Sequence, residues 1–114
     1  MNLEPRIASR HVFESRILIR FRRDGVNFAV QGWTRDLSET GLGAFIAEAL
    51  TVGELVTLEI PLLATGRKEI PAQVSVRLGT RYGFQFTALS TEQRIDIQTA
   101  LKVQPVIPYT AVTY

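Results

Sequence analysis

Ser15-Arg16-Ile17-Leu18-Ile19-Arg20-Phe21-Arg22-Arg23-Asp24-Gly25-Val26-Asn27-Phe28-Ala29-Val30 is the stretch on which the fold turns. Ser15, Ile17, Ile19 and Phe21 alternate with Arg16, Leu18, Arg20 and Arg22, the period of a strand buried on one face. Asp24-Gly25 supplies a short hairpin turn, because glycine accepts positive φ without steric cost. The chain then returns over about Val26 to Arg35, with Val26, Phe28 and Val30 on one face and Ala29 and Trp33 on the other. Downstream, the polar turn Asp36-Leu37-Ser38-Glu39-Thr40-Gly41 leads into Leu42–Ile46, and a turn at Thr51–Glu54 leads into Leu55–Leu63. Pro61 marks an edge or a bulge in that strand. Thr65-Gly66-Arg67-Lys68 reads as a solvated turn. Ile70–Leu78 and Tyr82–Leu89 read as a second hairpin, with Val74, Val76 and Leu78 on one face.

One helix is signalled. Ser90 is a natural N-cap, Gln93 completes a capping box, and Ile97, Ala100 and Leu101 form an apolar stripe edged by Ile95. Pro105 stops it near Val103. The chain is thus expected to be mainly β, a six-stranded antiparallel barrel closed by a C-terminal helix over about 91–103. Its expected organisation is a flexible arginine-bearing arm over 1–14, the barrel over 15–103, and an apolar tail or linker over 104–114.

Composition removes whole classes of chemistry. At 114 residues there is one domain, long enough to bury a core without staples. The absence of cysteine excludes disulfides, thiol catalysis and thiolate metal sites, and His11 is the single histidine. It reads as a plain exposed side chain. No apolar run is long enough to span a bilayer, so direct membrane insertion is not expected and the cytoplasm is the default location. Net charge is only +2, yet seven of the thirteen basic residues, all arginines, fall within the first 35 positions. Arginine grips phosphate with a planar fork and stacks on aromatic faces, so an anionic partner near the N-terminus is expected.

Two local patterns carry chemistry. Arg6-Ile7-Ala8-Ser9-Arg10 sets two arginines four apart on the arm, and Asp36-Leu37-Ser38-Glu39-Thr40-Gly41 follows the first hairpin. Each alone has an ordinary structural explanation, a solvated basic face or a self-capped turn in which Asp36 and Ser38 satisfy nearby amides. In this order and context they resemble the PilZ domain, whose signature is RxxxR on an N-terminal arm followed by (D/N)xSxxG. Tyr82-Gly83-Phe84-Gln85-Phe86-Thr87-Ala88-Leu89 and Ser90-Thr91-Glu92-Gln93-Arg94 extend the likeness to the family's closing strand and capped helix.

The resemblance implies a receptor for the bacterial second messenger cyclic di-GMP, with no further cofactor. Arg6, Arg10, Asp36, Ser38 and Gly41 occupy the motif positions and are the ligand-binding candidates. Arginine can pair with guanine O6 and N7 or with phosphate, an ionised aspartate suits the guanine N–H edge, and Ser38 offers a hydroxyl. Arg35, Trp33 and Gly83 are secondary candidates, although Trp33 reads first as a buried barrel aromatic. Pro5 stands where an arginine before RxxxR would favour an intercalated ligand pair, so one ligand or two stays open.

The resemblance further implies signalling without catalysis, through an arm that folds over the ligand and a surface read by an unidentified effector domain or protein. A domain excised from a longer, multi-domain or membrane-associated receptor fits the early motif and the apolar tail. A basic barrel for nucleic-acid polymers is disfavoured because Phe21 and Phe28 fall on faces that read as core. An enzyme is disfavoured because no histidine can activate Ser38. A ligand-independent protein–protein adaptor is the alternative reading, and oligomeric state stays open.

Overall fold

The Asp24-Gly25 turn has both residues at positive φ (50° and 77°), the conformation that matches the twist of the strands it joins. It connects β2 (Arg16–Arg23) to β3 (Val26–Leu37), paired antiparallel from Arg23↔Val26 to Arg16↔Trp33. The computed structural model describes residues 9–63 and 66–107. A two-residue strand β1 (His11–Val12) precedes this hairpin. It is followed by β4 (Gly41–Ile46), β5 (Leu55–Leu63), β6 (Gly66–Leu78), β7 (Arg81–Phe86) and helix α1 (Thr91–Lys102). The strand order is β1-β3-β2-β5-β6-β7-β4, and a β3–β4 pairing closes β2 to β7 into a six-stranded antiparallel barrel. Closure gives each barrel strand a partner on both sides.

Alternation delivers the core. Ile17, Ile19 and Phe21 from β2, Val56, Leu58 and Ile60 from β5, and Ile70, Ala72 and Val74 from β6 all point inward and are buried. Leu50, from the 47–54 connection, joins them, held by its amide donating to the Tyr82 hydroxyl and by Arg77 donating to its carbonyl. Arg23 donates to both carboxylate oxygens of Glu54 and to the Ala49 carbonyl, fastening the first hairpin to the same connection. The hydrogen bond from Arg23 holds the Glu54 carboxyl below the ordinary range, against the opposing effect of burial.

The helix forms as its sequence predicts. Ser90 accepts from the Gln93 amide and Gln93 returns a bond to the Ser90 amide, each at 3.0 Å. Ile97, Ala100 and Leu101 are buried, and Lys68 lies 3.5 Å from both Glu92 and Asp96.

Several expectations change. Gly66–Lys68, expected in a solvated turn, belong to strand β6, which already pairs at Leu63↔Gly66 and Ile60↔Lys68. The shift between these two pairs is the irregularity expected at Pro61. Val74, Val76 and Leu78 do not share a face: a bulge between Val74 and Val76 inverts the phase and leaves Leu78 59% exposed. Phe28 is 43% exposed and stacks on Phe21 at 5.3 Å instead of entering the core. It sits at the hairpin end, where β2 has run past its pairing with β5, which stops at Arg20↔Thr57.

Candidate functional site

The site is built on irregularities in two strands. In β3 the pairing with β4 runs Thr34↔Ala44 and then Asp36↔Gly43, so Arg35 is an inserted residue. In β6 the pairing with β7 runs Val74↔Phe84 and then Val76↔Gly83, so Ser75 is inserted. Bulges bend a strand and re-aim its side chains. The two bulged strands flank β4 and β7, which pair with each other at Gly43↔Gly83. One transverse row therefore reads Asp36–Gly43–Gly83–Val76. Its centre carries no side chain, which leaves a floor of bare backbone on the outer face of the barrel.

Arg10, Arg35, Asp36, Arg81 and Leu78 rise around this floor and line an open groove with Val76 and Tyr82. The neighbouring row is Trp33–Phe45–Arg81–Leu78. The Arg35 guanidinium lies 5.2 Å from the centre of the Phe45 ring, within cation–π range. Trp33 is 45% exposed, which corrects its reading as a buried aromatic. The strand parity that puts Gly32 and Thr34 inside puts Trp33 outside.

Asp36 is held from two sides. Its Oδ1 accepts the Gly43 amide at 3.1 Å, and its Oδ2 lies 3.8 Å from Arg10 Nη1. Both side chains are largely sequestered, 16% exposed for Arg10 and 13% for Asp36. Arg10 thus pairs with Asp36 and not with the nearer-in-sequence Glu14.

Ser38 and Gly41 lie apart from the groove. Ser38 is fully buried, and its Oγ accepts from the amides of Thr40 and Gly41 at 3.2 Å. Its own amide donates to the Gly41 carbonyl at 2.8 Å. It is the hub of the turn after Asp36, as an Asx- or ST-type turn residue would be. Gly41 is required by packing: a Cβ there would overlap the Phe84 carbonyl oxygen of β7.

Arg6 lies outside the described residues. Of the other candidates, Arg10, Arg35, Asp36 and Gly83 meet at the groove, and Trp33 flanks it. Arg81 and Gly43 were missed by sequence reasoning. A signal was present, since Arg81 and Gly83 are two apart on one strand and so share its outer face. His11 is half-buried, not plainly exposed, and its Nδ1 lies 2.9 Å from the Gln104 carbonyl oxygen.

The groove is lined by three arginines and one carboxylate beside the Gly43–Gly83 pair, with Arg10 the arginine that meets Asp36. It can bind a planar anion that presents acceptors to arginine and an N–H edge to aspartate. Among the described residues there is no cluster of His, Asp or Glu that could hold a metal ion, and no helix long and apolar enough to cross a membrane.

Comparison with solved structures finds the same architecture. The PilZ domain of YcgR from Escherichia coli, solved with c-di-GMP, matches with a TM-score of 0.68 at 18% identity, over 87% of this chain and 90% of that one. The PilZ domain of CeSA from a cellulose-synthesizing bacterium matches at 0.63 with 20% identity, over 82% of this chain and 94% of that one. YcgR of Escherichia coli in complex with c-di-GMP matches at 0.65 with 24% identity, over 82% of this chain and 43% of that longer one. A search of curated protein sequences finds no match. The family profile of the PilZ domain matches residues 4–102, the whole barrel and helix together with the RxxxR and DxSxxG motifs, and the chain belongs to the PilZ domain family.

Proposed function

We propose that this chain is a cyclic di-GMP receptor domain that signals without catalysis. The observation that carries the reading is the meeting of Arg10 and Asp36, from two separate motifs, at the edge of the Gly43–Gly83 floor. The YcgR structures with c-di-GMP, which share the fold, support the choice of ligand.

In this reading the guanidinium groups of Arg6 and Arg10 take the phosphates and a guanine face or its O6/N7 edge, and Asp36 takes the guanine N1–H and N2–H₂. Arg35 and Arg81 supply positive potential across the floor, and Trp33 offers a stacking face at its rim. Ser38 and Gly41 serve the site by holding the turn that follows Asp36. Binding draws Arg10 away from Asp36 toward the ligand and folds the preceding segment over it. Rearranging several charges on one face is a change that a partner domain or protein can read. The proposed setting is the bacterial cytoplasm, free or within a longer receptor.

The test is calorimetric titration of the chain with cyclic di-GMP, with GMP and cyclic di-AMP as controls. Selective binding is expected. A charge-assisted hydrogen bond to arginine is worth about 1.5–3 kcal/mol, so Arg10→Ala should weaken binding about 10- to 150-fold. Absence of heat and of thermal stabilisation at high ligand would refute the receptor reading and leave a ligand-independent adaptor.

A further inference from the structure

After the helix, Gln104–Ile107 return to the arm that carries Arg10. The Ile107 amide donates to the Arg10 carbonyl at 2.7 Å, and the Val12 amide donates to the Pro105 carbonyl at 2.9 Å. His11 and Val106 face each other in an antiparallel bridge, and the His11 ring reaches the Gln104 carbonyl. On its other side the same arm pairs with the site strand, His11 opposite Leu37 and Val12 opposite Asp36, and the Phe13 amide bonds the Arg35 carbonyl. The arm is thus the middle strand of a small three-stranded ribbon, with Asp36 on one flank and Gln104–Ile107 on the other.

We infer that the Gln104–Ile107 segment is a clasp that positions Arg10 at the site, so that occupancy of the site and docking of the C-terminal segment are coupled. The inference rests on the receptor reading for its ligand and on the ribbon alone for its mechanics. An isolated two-residue strand cannot hold its place by its own pairing, because short strands need neighbours on both sides to offset the entropy of ordering them. The backbone on either side of His11 is bonded to the segment: the Arg10 carbonyl accepts from the Ile107 amide, and the Val12 amide donates to the Pro105 carbonyl. A free-energy coupling of this kind is reciprocal: what the clasp contributes to ligand affinity, the ligand returns to clasp docking. Ile107, Pro105 and His11 are therefore positioning residues for Arg10, and the C-terminal segment is a route by which occupancy reaches whatever follows it.

One substitution removes the central bond. Ile107→Pro deletes the N–H that the Arg10 carbonyl accepts, while Ile107→Ala trims the side chain and keeps the donor. Two readouts separate a clasp from a merely structural role. Without ligand, trypsin cleavage of the Arg10–His11 bond should accelerate in Ile107→Pro and in a chain ended after Val103, but not in Ile107→Ala. With cyclic di-GMP, Ile107→Pro should weaken binding about fivefold, the equivalent of one net hydrogen bond, and should cost nothing further in an Arg10→Ala background. Cleavage and affinity that stay at wild-type values in Ile107→Pro would overturn the inference, as would an equal loss with and without Arg10. If the wild-type chain binds no cyclic di-GMP, the receptor reading fails while the cleavage rates still decide the clasp.

Discussion

Replacing Gly43 by alanine should separate ligand affinity from stability. The Cβ added by Gly43→Ala would sit 3.0 Å from Asp36 Oδ1 and 3.2 Å from Oδ2. Both distances are shorter than ordinary van der Waals contact, and the atoms met belong to the end of a side chain. Asp36 therefore swings away by a few tenths of an ångström, lengthening the 3.1 Å bond that its Oδ1 accepts from the main-chain amide at position 43. Loss of a net hydrogen bond costs about 0.5–1.5 kcal/mol. Against this, alanine in a strand gains roughly 0.5–1 kcal/mol over glycine in backbone entropy. The net change in stability is within about 1 kcal/mol, a shift of only a few degrees in Tm for a domain of this size. Affinity has no such compensation. In the proposed reading Asp36 is re-aimed away from the guanine edge it would accept from, and a methyl group is added beside it at the floor, so cyclic di-GMP binding should fall by at least about tenfold, the equivalent of one charge-assisted hydrogen bond. Thermal unfolding and calorimetric titration of the same preparation measure both quantities. Wild-type affinity in Gly43→Ala would refute the glycine floor as the seat of the ligand, whatever the melting temperature.

Gly41→Ala should behave in the opposite way, because its Cβ would meet the main chain of β7 at Phe84 and no side-chain movement can relieve it. A loss of about 3 kcal/mol or more is expected from strain of this kind, read as a low Tm or failure to fold. Trp33→Ala should cost under about 1 kcal/mol, against the roughly 3–5 kcal/mol of a buried aromatic, since Trp33 is 45% exposed; denaturant unfolding would show it, and a large loss would return Trp33 to the core. The Arg23–Glu54 pair predicts a pH dependence. Because the Glu54 carboxyl is held below the ordinary glutamate range, its contribution is fully present above about pH 4.3 and is lost as pH falls through its lowered folded value. The Tm difference between wild type and Glu54→Gln should be greatest near neutrality and should shrink in acid; a difference that grew on acidification would contradict the assignment.

Much of the architecture was legible in short-range patterns. The alternation from Ser15 to Arg22, the Asp24-Gly25 turn and the Ser90–Gln93 capping box each depend on residues within a few positions of one another. Local backbone preference and one-sided burial suffice to specify them. The Asp36–Gly41 turn was likewise visible, although the work of its serine was not. The Ser38 hydroxyl faces amides two and three residues ahead, and only the buried turn commits it wholly to bonds within the turn, with those amides, the Gly41 carbonyl and the Thr40 hydroxyl.

The set of elements, their order and the two motifs that carry the family signature therefore follow from residues close together in the chain. Which residues meet depends on contacts between strands far apart in the chain. Gly43 and Gly83 are forty positions apart and become a floor only when β4 and β7 pair in that one register. The inserted residues Arg35 and Ser75 change the phase of their strands, so Leu78 turns outward and Asp36 faces Gly43. Ile107 reaches Arg10 only because the helix ends beside the strand it must clasp. A strand's side-chain period states which residues share a face, but pairing register and bulges decide which faces adjoin, and these are settled by packing across the whole barrel.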